Sequence, residues 1–177
     1  MLTLLFDTET DNLVRNSLMP LDKQPHILEI YAARPTLLPI PLLHQMFKQD
    51  RPLTSEIIKI TSITDDMLKD QPPFKDCAKG IKEIFERADR VVAHNLSFDK
   101  AVLDAEMSRC GLSIDWPKQQ ICTVEATEHL KGHRLSLTAL HELLFEEPFD
   151  GAHRAEGDVK ALTRCYNELV DKGEIWS

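Results

Sequence analysis

Apolar residues follow two rhythms along this chain. Leu2 to Phe6 is a short, largely apolar run that ends on an acid, the pattern of a buried strand. His26–Arg34, read as HILEIYAAR, predicts a second strand, with Leu28, Ile30 and Ala32 on one face and Ile27, Glu29 and Tyr31 on the other. Pro35, Pro39 and Pro41 make the next stretch an edge strand or a loop, and His44–Lys48 reads as a third short strand. A helical rhythm then takes over. Thr54 or Ser55 can cap a short helix over Glu56–Ile60, and Thr64 another over Asp65–Lys69, with two acids in its first turn. Phe74, Ala78, Ile81, Phe85 and Ala88 form one apolar stripe of a longer helix. Arg90–Ala93 holds Val91 and Val92 and reads as a short buried strand. Asn95 or Ser97 caps a helix that runs to about Cys110 and stops at Gly111. Ile121–Val124 suggests a further strand, and Glu125–Lys131 and Ser136–Leu144 two helices split at Gly132. A last helix runs from about Gly151 to Lys172, with Ala155, Val159, Leu162, Tyr166 and Leu169 facing the core. Strands gathered early and then interleaved with helices predict an α/β fold, a mixed sheet covered by helices. With no repeat, low-complexity run or linker, residues 1–177 are expected to form one domain.

Composition narrows the functions. A net charge of −8, from 21 basic and 29 acidic residues, argues against a protein that wraps duplex nucleic acid by neutralising many phosphates. It leaves open a cleft that holds nucleic acid through bound cations. Cys77, Cys110, Cys122 and Cys165 form no CxxC pair, as expected of structural thiols in a reducing compartment. The opening MLTLLFD meets an acid too early for a signal peptide or a membrane span, so a cytoplasmic protein is expected.

The candidate chemistry is acidic. Asp7 and Glu9 lie two apart at the end of the first strand, so in extended chain they leave it on one face. Such a pair is either a polar turn or the start of a divalent-metal site with oxygen ligands. Asp99, in HNLSFDKAVLDAE, lies in the first turn of its helix, beside the stripe of Phe98, Ala101, Val102 and Ala105. It is either an acid favoured at a helix N-terminus or a third group facing the same cleft. Asp158 sits on the rim of the last helix's stripe, and His153 precedes it by five positions. On a regular helix that spacing puts the two roughly 140° apart. They can share a site only if His153 lies on a loop or a distorted first turn, which Gly151 and Gly157 permit. His129 and His133 resemble a zinc pair but lack further ligands. Lys131, His133 and Arg134 are either a solvated face or a phosphate-contact patch.

Three segments, in order, carry a resemblance: Asp7-Thr8-Glu9, His94-Asn95-Leu96-Ser97-Phe98-Asp99, and His153 followed by Asp158. In this the chain resembles the DEDDh group of the DnaQ-like 3′→5′ exonuclease superfamily, the ribonuclease T-like proteins. HILEI at 26–30, ITSITDDML at 60–68 and CTVEATEHLKGHRLSLTAL at 122–140 echo further family segments, so the likeness spans nearly the whole chain. It departs where the family continues D-x-E-T-T-G, because Asp11 and Asn12 replace the last Thr-Gly. Thr61 and Ser62 stand where the family often has His-Gly.

The resemblance implies a ribonuclease H-like mixed central sheet flanked by helices. It implies hydrolysis of terminal phosphodiesters with two divalent cations, Mg²⁺ or Mn²⁺. Asp7, Glu9 and Asp158 would bind the metals, Asp7 bridging, with Asp99 completing the acidic ring and His153 deprotonating the attacking water. Thr10, Leu13, Asn95 and Phe98 would contact the terminal nucleotide, although Asn95 and Phe98 serve equally well to hold the turn and pack the helix. The implied partners are single-stranded nucleic acid 3′ ends, DNA or RNA, and a DNA polymerase. Two alternatives stand beside this reading: a non-catalytic polymerase- or nucleic-acid-binding subunit of the same fold, and an oligoribonuclease-like hydrolase of short oligonucleotides.

Overall fold

Alternation along β1 (Thr3–Thr10) sends Leu4 and Phe6 into one core and Leu5 into another, so this strand is covered on both faces. The structure, a computed structural model, describes residues 1–12 and 19–175. β1 pairs antiparallel with β2 (Ile27–Arg34), which pairs antiparallel with β3 (Ile40–Met46). On its other side β1 runs parallel to β4 (Arg90–Ala93), and β4 runs parallel to β5 (Gln119–Cys122). The sheet order is therefore β3-β2-β1-β4-β5, a mixed sheet of five strands.

One face carries α3 (Phe74–Glu86) and α4 (Leu96–Arg109), whose Phe74, Ala78, Ile81, Phe85, Val102, Leu103 and Met107 pack with Phe6, Ile30 and Val91. The other face carries α6 (Leu137–Phe145) and α7 (Ala155–Asp171), where Leu140, Val159, Leu162 and Leu169 pack with Leu5, Tyr31 and Val92. Short helices α1 (Ser55–Thr61) and α2 (Asp65–Leu68) form a third cluster, where Ile63 and Leu68 meet Leu28 of β2. The expected sandwich of a mixed sheet between helices is what the chain adopts, and every member of the Phe74–Ala88 stripe is buried.

Several boundaries differ from the sequence pattern. The first strand continues through the acids to Thr10, because its last residues still pair with β2. The third strand spans Ile40–Met46 rather than His44–Lys48. Pro41 is tolerated there because β3 is an edge strand. β2 is buried on both faces along Ile27–Ala33, and a register shift opposite Glu9/Thr10 brings Ile27 into the same core as Ile30. The stretch expected to hold Ile121–Val124 as a strand turns into α5 (Thr123–Thr127) after Cys122, with a 3₁₀ turn at Glu128–Leu130. Thr54 caps α1 through its side chain, whereas Thr64 makes no such bond at α2. Asn95, not Ser97, precedes α4, and it does so in a left-handed conformation without a side-chain cap. The last helix begins at Ala155, not near Gly151, because Gly151 and His153 both take positive φ. Leu13 lies outside the described residues. Among the described residues no helix is long and apolar enough to cross a membrane.

Candidate active site

The site is assembled at the end of β1 that leads away from the two cores. Asp7 and Glu9 share the face of Leu5, which is the α7 face. α7 brings Asp158 to them from the opposite end of the sequence. One ligand oxygen from each of Asp7, Glu9 and Asp158 lies within 4.8 Å of the others. Thr8 points the other way, toward α4. There Asp99 Oδ1 accepts hydrogen bonds from the Thr8 backbone N–H at 3.0 Å and the Thr8 hydroxyl at 2.7 Å. Asp99 thus stands beside the cluster, tied to the strand residue between the two acids.

His153 is not on the helix. Its φ is +62°, it lies on the loop before α7, and its backbone N–H donates to Asp158 Oδ2 at 2.9 Å. The loop departure that a shared site requires is therefore present. Gly157 allows it: a Cβ there would lie 2.1 Å from the carbonyl oxygen of Gly151. The loop is laid directly over the first turn of α7, and only a glycine leaves it room.

The electrostatics are those of crowded carboxylates. Burial first, then repulsion from Asp158, Glu29 and Asp99, pushes the Glu9 carboxyl up to about 8. Burial and the charges of Asp99, Asp158 and Glu9 hold Asp7 well above the usual carboxylate range. Burial takes Asp99 to about 7 against the bonds from Thr8, and Asp158 to about 6 against His153 and two backbone N–H groups. Each group costs energy to ionise here in the absence of a cation. A site made only of carboxylate oxygens fits a hard divalent ion such as Mg²⁺ or Mn²⁺ and suits zinc or copper poorly.

The remaining predicted residues surround this cluster. The Thr10 hydroxyl donates to the Asn12 carbonyl at 2.6 Å. Phe98 packs against the α3/α4 core. Asn95 Oδ1 accepts from Arg134 Nη2 at 3.1 Å, which anchors one member of the basic group on the turn that follows β4. His94 donates from Nε2 to the Leu135 carbonyl at 3.0 Å and accepts from the Thr123 hydroxyl at Nδ1, at 2.9 Å. Burial depresses its imidazole to about 4, so it is a neutral strut. His129 pairs with Glu174 instead of a metal partner. Asp11, one of the departures, takes the His26 N–H on Oδ1 at 2.7 Å and closes the end of the β1–β2 ladder. Thr61 and Ser62 close α1: the Thr61 hydroxyl bonds Ile57 O and Ile63 N, and Ser62 adopts φ +58°, a conformation that glycine takes more readily.

Sequence reading missed Glu29, Arg154 and His44. Glu29 lies opposite Glu9 in the β1–β2 ladder and is completely buried. Arg154 grips it from Nε and Nη2, both at 2.9 Å, and His44 Nε2 donates to it at 2.9 Å. The signal was available, because Glu29 is the one charged residue inside the run ILEIYAA, and a charge in a strand buried on both faces requires a partner.

This geometry has relatives. A sequence profile of the family described as "Exonuclease" (RNase T) matches residues 4–166. The chain belongs to the exonuclease family. A DNA polymerase III subunit epsilon of Haemophilus influenzae is 33% identical to this chain over 129 residues, covering 70% of the chain and 49% of the relative. A protein named 3′-5′ exonuclease DinG, from Staphylococcus haemolyticus, is 34% identical over 138 residues, 74% of the chain and 14% of the relative. The chain thus spans about half the length of the first of these relatives and far less of the second. Among solved structures, Exonuclease X in complex with 5′ overhanging duplex DNA superposes with a TM-score of 0.67 at 22% identity, covering 99% of this chain and 94% of that one. E. coli Exonuclease I in complex with a dT13 oligonucleotide superposes with a TM-score of 0.74 at 17% identity, covering 96% and 40%. These likenesses establish the ribonuclease H-like fold.

Proposed function

We propose that this chain is a metal-dependent 3′→5′ exonuclease of the DEDDh group, releasing nucleoside monophosphates from single-stranded DNA or RNA ends, and that residues 1–177 form a single exonuclease domain. The observation that carries the reading is the meeting of Asp7 and Glu9, from the first strand, with Asp158, from the last helix, as an oxygen-only cluster. Three carboxylates whose protons are held this tightly are unfavourable as a resting arrangement and favourable around a divalent cation. In this reading Asp7, Glu9 and Asp158 hold two cations and Asp99 completes the acidic ring. Bound there, the ions would supply charge that activates a water and offsets the leaving alkoxide. His153, on its loop, takes the proton of that water. Asn95, Phe98 and Thr10 contact the terminal nucleotide, and Arg134 meets a phosphate of the strand. The names of the curated relatives support a DNA polymerase as a partner.

The test is degradation of 5′-labelled single-stranded DNA and RNA by the purified chain with Mg²⁺, Mn²⁺ or EDTA. A ladder shortening from the 3′ end, abolished by EDTA and by Asp7→Asn, is expected. Intact substrate in Mn²⁺, with metal bound in calorimetry, would favour the non-catalytic subunit instead.

A further inference from the structure

We infer that the Glu29–Arg154 pair is the tether that positions His153, a role that rests on the proposed exonuclease chemistry. Glu29 stands beside Glu9 on the same face of the sheet, yet it cannot share the cluster's task. Its Oε1 accepts from Arg154 Nη2 and His44 Nε2, and its Oε2 from Arg154 Nε and the Ala155 backbone N–H at 3.3 Å. Both oxygens are engaged twice, which leaves nothing for a metal.

Its grip falls on the residue next to His153. Arg154 precedes the first residue of α7, with φ −134° and no side-chain cap of its own. Three constraints therefore converge on residues 151–155. The fork on Glu29 fixes Arg154, the His153 N–H is bound to Asp158, and the Arg154 N–H donates to Gly151 O at 3.2 Å. A bidentate guanidinium–carboxylate contact sets orientation as well as distance, which a single ammonium cannot do. With the fork removed, the Ala155 N–H bond to Glu29 still ties the start of α7 to β2, but the side-chain grip on the loop residue next to His153 is lost, and with it a support of the positive φ of His153. Arg154 is on this account a positioning residue and His44 its auxiliary.

The experiment is a double-mutant cycle in single-turnover hydrolysis of a short 3′-hydroxyl oligonucleotide at saturating Mn²⁺, so that changes in metal affinity drop out. If Arg154 acts through His153, Arg154→Ala slows the reaction by nearly the factor of His153→Ala, about 10²–10⁴-fold for a general base. The double variant is then no slower than the slower single variant. Arg154→Lys recovers part of the rate. Because Arg154→Ala strands a buried carboxylate, the paired change Glu29→Gln with Arg154→Met serves as the second variant, removing the tether without leaving an unpaired charge. A slow His153→Ala beside a wild-type rate in that paired variant overturns the tether alone. So do effects of Arg154→Ala and His153→Ala that multiply. A wild-type rate in His153→Ala overturns the assignment of the base, and the tether with it.

Discussion

Glu9 and Glu29 are direct neighbours across β1 and β2, yet they hold protons in opposite ways. Glu29 is buried, but the bonds from Arg154 and His44 overcome that burial and keep it ionised below the usual range. Glu9 has Arg154 only at a distance, and burial with three neighbouring acids raises it to about 8. The sign of the consequence follows. A carboxyl raised from about 4.5 unfolded to about 8 folded favours the folded state at acid pH, and that contribution is lost as pH rises through about 8. The metal-free protein is expected to lose stability between about pH 4.5 and 8 on account of this group. Glu9→Gln removes the charge while keeping the shape. It should therefore leave the metal-free stability unchanged near pH 5 and raise it near pH 8, by roughly 1–3 kcal/mol after allowance for solvent screening. Thermal melts in EDTA at the two pH values measure this, and a variant less stable than wild type at pH 8 would contradict the crowding. The same substitution should abolish turnover, as should Asp7→Asn and Asp158→Asn, each checked against a folded far-UV spectrum. Full activity in any one of them would remove that residue from the cluster.

At the scale of elements, the site depends on where β1 and α7 begin and end. Because β1 stays extended through Thr10, its alternation divides the labour: Asp7 and Glu9 toward α7, Thr8 toward Asp99 on α4. α7 depends on Gly157, since any Cβ there meets the Gly151 carbonyl. Gly157→Ala should displace the loop, lower stability by about 1–3 kcal/mol in the manner of overpacking, and slow hydrolysis with metal binding retained. Denaturant unfolding and single-turnover rates check it, and wild-type values in both would show that the loop is free to move. Much of this was legible in the sequence, because D-x-E spacing on a strand and the apolar stripes of α3 and α7 are local, periodic signals. The loop carrying His153 was legible as a condition, since five helical steps forbid a shared face. The boundary at Ala155 was not, because it is set by contact between Gly151 and Gly157 and by the grip on Glu29, which pairs residues 125 apart in sequence. Pattern reading also ended β1 at the first acid, because polarity marks the edge of a core rather than the end of strand pairing.

At the scale of the molecule, a cation at Asp7, Glu9 and Asp158 would join the first strand to the last helix. Both cores share β1, through Leu4 and Phe6 on one side and Leu5 on the other, so neither layer of helices can leave without exposing the strand that holds two of the acids. Unfolding is expected to be a single transition for that reason. Binding to the folded state alone stabilises by RT ln(1 + [L]/Kd), about 2.7 kcal/mol at about a hundredfold excess over Kd. For a chain of this size that corresponds to a midpoint rise of about 5–10 °C in Mn²⁺. Protons and cations compete for the same oxygens, and the carboxyls at about 6 and about 8 are largely protonated near pH 5. The rise should therefore be large near pH 8 and small near pH 5, whereas ions bound loosely at surface carboxylates, ionised at both pH values, would give a nearly equal shift at the two. Amide hydrogen exchange should show the added protection on β1 and α7 together. Protection confined to the loop before α7, or a midpoint shift equal at the two pH values, would mean that the cation does not bridge the two ends of the fold.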